Sequence, residues 1–88
     1  MANHVSAEKR TRQRAKRTER NRPIRTAVRS AVRRARAAIA AGSAEAAAEP
    51  VKAAAIALAK AVSKGVLRKE TASRTTSRIQ AALHKLAG

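Results

Sequence analysis

Lys9 to Arg36 reads KRTRQRAKRTERNRPIRTAVRSAVRRAR and holds 13 of the chain's 21 lysines and arginines against one acid, Glu19. Cations packed this densely repel one another, so whatever neutralises them must come from outside the chain. Two patterns meet at Pro23. Before it, setting residues at 100° intervals spreads Lys9, Arg10, Arg12, Arg14, Lys16, Arg17, Arg20 and Arg22 around the whole circumference, with no apolar stripe. After it, Ile24, Val28, Ala31, Val32, Ala35 and Ile39 share one face. Arg25, Arg29, Arg33 and Arg36 line one flank of that stripe, and Arg34 stands alone on the other. The first pattern is a rod in need of a partner, and the second is an amphipathic helix in need of a core.

Working outward, the pattern predicts an extended start over 1–5, with Ser6 as a helix N-cap and Glu8 in the first turn, the two opening a basic arm over 1–22. Pro23 lacks an N–H and crowds the preceding turn, which predicts a kink or a break there. A first bundle helix then covers 23–41 and stops at Gly42. Ser43 caps a second helix over 43–64. Pro50 interrupts it, so 44–49 is expected as a loose turn, with Val51, Ala55, Leu58 and Val62 as the apolar stripe beyond. Ile56 falls off that stripe, which leaves contact with a neighbour or with a bound partner as its role. Lys64-Gly65 ends the helix, and Val66 or Leu67 supplies the hydrophobic contact that closes such ends. A third helix over 67–86 gathers Ala72, Ile79, Leu83 and Leu86 on one face, with Arg74, Arg78 and Lys85 on another. Short glycine-containing connections between three amphipathic segments predict an all-α fold, an antiparallel three-helix bundle with a long, basic, protruding first helix. Leu58, Val62, Ile79 and Leu83 are expected at its centre.

Eighty-eight residues suffice for a single domain, and the 44% hydrophobic fraction is mostly alanine, so the isolated bundle is expected to be marginal. With no cysteine there is neither a disulfide framework nor a thiolate metal site. His4 and His84 lie far apart among dispersed carboxylates, which argues against any metal centre, cofactor or small-molecule substrate and against a nucleophile–base pair. Gly42, Gly65 and Gly88 mark helix ends rather than a phosphate loop. The chain does not read as an enzyme. Its start carries no apolar signal segment, and its longest uncharged run, 37–44, is too short to span a membrane. A membrane-surface helix would put Trp, Phe or Leu on its apolar side, and the rod has no such side.

A net charge of +16 concentrates polyanions. The complete absence of Phe, Tyr and Trp argues against single-strand binders and recognition modules that stack bases on aromatic platforms. What remains is phosphate contact and recognition of shape. Regular A-form RNA has a deep, narrow major groove that fits a helix poorly, so cations all around a rod suit a crevice between several RNA helices. On composition alone, a DNA-compacting, histone-like protein stays open as the alternative.

Two blocks narrow this choice. The first is Met1-Ala2-Asn3, Ser6-Ala7, Lys9-Arg10, Lys16-Arg17 and Asn21; the second is Lys64-Gly65-Val66-Leu67, Lys69, Thr71-Ala72-Ser73-Arg74 and Ser77-Arg78. In this order and at this spacing they resemble the bacterial small-subunit ribosomal protein family number twenty, over essentially the whole chain. The resemblance implies a three-helix bundle with a long first helix that binds small-subunit ribosomal RNA directly and early in assembly. It further implies a place at the bottom of the particle, in the cytoplasm, bridging RNA helices distant in sequence, with neighbouring ribosomal proteins as further candidate partners. Through the second block, Lys64, Lys69, Arg74 and Arg78 join the rod and the Arg25–Arg36 row as candidate RNA contacts. The chain departs from the family pattern at Pro23 and Pro50, where continuous helix is usual. It also departs at Glu70, a position commonly Asn, so no phosphate contact is carried onto it.

Overall fold

The computed structural model describes the backbone of residues 2–88 and the side chains of 5–88. Three helices follow one another, α1 Ala2–Ala40, α2 Ala44–Ser63 and α3 Lys69–Ala87, with no strand among the described residues. At about 1.5 Å per residue, the 39 residues of α1 reach nearly 60 Å and account for most of the molecule's 65 Å length. The shorter helices, 20 and 19 residues, pack against its C-terminal half.

The structure departs from the expected local pattern at three places. The chain is helical from Ala2, so Ser6 lies inside α1 rather than at its cap. Of the kink or break expected at Pro23, the break does not occur: α1 is continuous helix through it. The reason lies in exposure. The acceptor that Pro23 leaves without a helical donor is the carbonyl of Glu19, four residues earlier; both residues face solvent, where water can serve it. The same holds at Pro50, because Ala46 is exposed and 44–49 is regular helix. Ser43 does cap α2, its hydroxyl accepting the Ala46 N–H at 3.3 Å.

The end of α2 closes as a Schellman motif. Gly65 sits at φ 74°, its N–H donating to Val62 O at 3.0 Å, and the Val66 N–H donates back to Ala61 O at 2.9 Å. This turns the chain so that Val66 and Leu67 pack against the core. Gly42, at φ 91°, turns the chain out of α1 in the same left-handed region.

The core is made of Val28, Val32 and Ala35 from α1, Val51, Ala54, Leu58 and Ala61 from α2, and Ala72 and Ile79 from α3. Leu58 and Ile79 hold the central places expected of them, at 2% and 4% exposure. Val62 and Leu83 do not; both are half-buried at the edge. Ala54 and Ala61, at 1% and 0%, take the inner positions of α2 in place of Ala55 and Val62. Small side chains there let the helices approach closely, which moves the larger neighbours to the rim. Helix α2 packs on both of the others, whereas α1 and α3 touch little. A groove therefore remains between α1 and α3, with Val28, Val32, Leu58 and Leu67 among its lining.

Candidate nucleic-acid interface

Every side chain from Val5 to Arg20 is exposed, and Asn21 is the first of the described side chains of α1 to be partly covered. Lys9, Arg10, Arg12, Arg14, Lys16, Arg17, Arg20 and Arg22 thus all stand in solvent, on every side of the helix. Thr11 and Thr18 turn their hydroxyls inward, donating to Ala7 O at 3.0 Å and Arg14 O at 2.9 Å. Such back-bonding ties both hydroxyls to the helix's own carbonyls. Lys9, Arg12 and Lys16 line one shallow face together. Like charges three and four residues apart destabilise a bare helix by a few tenths of a kcal/mol per pair, so an anion lying along this face relieves a strain the helix carries.

On the bundle the cations fall on separate surfaces. Arg29, Arg33 and Arg36 line the α1–α3 groove, about 470 Å³ in volume, with Thr71 and Thr75 contributed by α3. The Thr75 hydroxyl is already engaged, donating to Thr71 O at 3.0 Å. Arg36 and Arg78 share a smaller cleft of about 140 Å³ with Ile39, Ile79 and Ala82. The structure therefore brings Arg29, Arg33, Arg36 and Arg78 to one side of the molecule, an arginine row from α1 beside an arginine from α3. Arg25 precedes Arg29 on α1 and Arg74 precedes Arg78 on α3, each by about one turn, and both are exposed. Guanidinium groups held this way match phosphate oxygens two at a time, which lysines cannot do.

Lys64 and Lys69 belong elsewhere. Lys64 lies in a groove between α1 and α2 together with Lys60, and Lys69 lies against the outer side of the α2–α3 seam with Ser73, Thr76 and Ser77. Lys60 was not among the sequence candidates; its spacing of four from Lys64 is the signal that could have found it. The exposed part of α2 near its start carries Glu45, Glu49 and Lys52, a mixed surface, so positive charge is concentrated on α1 and on the side where α3 borders it. Among the described residues no three His, Asp or Glu side chains come together as a metal site, and no helix is long and apolar enough to cross a membrane.

The family model for ribosomal protein S20 matches residues 2–84. No curated protein matches the chain.

Proposed function

The chain belongs to the ribosomal protein S20 family, structural proteins that bind ribosomal RNA in the small subunit, and from that premise we propose that it binds by direct phosphate contact and steadies the RNA fold while the subunit assembles. The observation that carries this reading is the exposure of every cation from Lys9 to Arg20 around a helix with nothing of the protein beside it. The rod enters a crevice between RNA helices and neutralises phosphates on several sides at once. The bundle holds Arg25, Arg29, Arg33 and Arg36 of α1 and Arg74 and Arg78 of α3 in fixed relation, so that together they fit one arrangement of RNA backbones. Joining RNA segments in this way makes the protein useful early, before the particle's other contacts exist. Its place of work is the ribosome, in the cytoplasm, beside other proteins of the small subunit.

Filter binding across a salt series, with small-subunit ribosomal RNA and duplex DNA of equal length as competitors, tests this. Each phosphate contact adds about −0.7 to −0.9 to the slope of log affinity against log salt. We expect a steep slope on both nucleic acids and a clear preference for the ribosomal RNA at every salt concentration. Equal affinity for DNA would instead support the compaction reading.

A further inference from the structure

Among the bundle's larger apolar side chains Ile56 stands out, remaining 48% exposed while its neighbours Ala54 and Leu58 point inward. It helps to line a groove of about 480 Å³ between α1 and α2, together with Pro23, Ile24, Ala27, Ala53 and Ala57. Lys60 and Lys64 complete the lining, and no acid takes part in it. The groove lies at the end of the bundle where the rod departs, since Pro23 directly follows Arg22 and lies three residues beyond Arg20. We infer that this groove takes an unstacked nucleobase of the ribosomal RNA, with the phosphates on either side of that base held by Lys60 and Lys64.

The inference rests on the RNA-binding reading above and adds what the α1–α2 side contributes to it. RNA is read most specifically where bases leave the stack and can be splayed out. Proline and isoleucine are among the apolar side chains that proteins press against exposed base faces. With no aromatic residue in the chain, the Pro23–Ile56 surface is its best offer of that kind. An acidic protein segment would also suit the two lysines. RNA is favoured because any RNA that neutralises Arg20 and Arg22 already lies within reach of the groove.

The test uses the full chain and small-subunit ribosomal RNA, with filter binding beside dimethyl sulfate probing of the bases. Losing the partly covered Ile56 side chain in Ile56→Ser should weaken binding about three- to tenfold without changing the salt slope. Ile56→Phe should bind at least as tightly as the parent, because a ring gives a base a face to stack on. One or a few unpaired bases should be protected by the parent and by Ile56→Phe and become reactive again with Ile56→Ser. Both variants binding like the parent with the same footprint would overturn the inference. So would an Ile56→Ser chain that binds RNA normally but fails to retain a neighbouring protein in the reconstituted subunit. If the parent itself does not bind the RNA, the broader reading falls and not this groove alone.

Discussion

Helix α1 is two helices in physical character, although the backbone makes one. From Val28 onward it turns Val28, Val32 and Ala35 into the core and is held by α2. From Val5 to Arg20 every side chain is exposed, and no other element packs against it. Isolated helices of this length are marginal in water even with good formers, and here like charges oppose them. The difference teaches that regular backbone is no measure of stability. One half is fixed by packing, and the other waits for a partner to supply what packing does not.

The largest effect should come from the packed half. Leu58→Ala truncates the largest buried side chain of α2 and should destabilise the bundle by about 2–5 kcal/mol, enough to unfold a domain with so much alanine in its core. A thermal melt followed by circular dichroism will show it. If the melting temperature stays within a few degrees of the parent, the bundle is not what anchors the C-terminal half of α1.

Pro23 stands at the border, and Pro23→Ala probes the coupling between the halves. Restoring the missing hydrogen bond and removing the clash should favour continuous helix by about 1–3 kcal/mol. Residue-resolved amide exchange should therefore slow across 16–22 while 28–35 stays as it was. Unchanged exchange before residue 22 would mean that the border is set by burial alone, and the proline would be incidental.

Arg17→Ala should do the least to the fold and the most selective thing to binding. Its side chain is exposed, so stability should move by no more than about 0.5 kcal/mol. The salt slope on ribosomal RNA should fall by roughly 1, with affinity lost on all RNA sequences alike. A slope equal to the parent's would take Arg17 out of the phosphate shell, and the comparison between halves would lose its functional side.

The contrast at Pro23 was visible in residue spacing alone, because an apolar stripe and its absence are period signals that need no structure. Helix ends at Gly42, Ser43 and Gly65 were equally legible, each being a local demand of backbone geometry or capping. The break offered as one outcome at Pro23 and the loose turn before Pro50 do not occur; water can serve the carbonyl each proline leaves without a donor, and sequence does not reveal that exposure. Val62 and Leu83 were placed too deep for a related reason. Their places in the middle of their apolar stripes suggested a central position, but on α2 the positions turned most deeply inward include Ala54 and Ala61. Of the candidate contacts, the Arg29–Arg36 row was legible from α1 itself. Its meeting with Arg78 needs the third helix, and the pairing of Lys60 with the Pro23–Ile56 groove depends on which face α2 turns to α1.

The spread of the rod's charge around its whole circumference also governs its phase. Removing one residue from a helix rotates everything on one side of the cut by about 100° relative to the other. In the packed half this would swing Val28 and Val32 away from α2. In the rod it merely exchanges one cation for another, since some lysine or arginine faces every direction. Length is the quantity that the rod cannot give up, because each lost turn draws its furthest cations about 5 Å nearer the bundle. One end of α1 is thus constrained by angle and the other by reach.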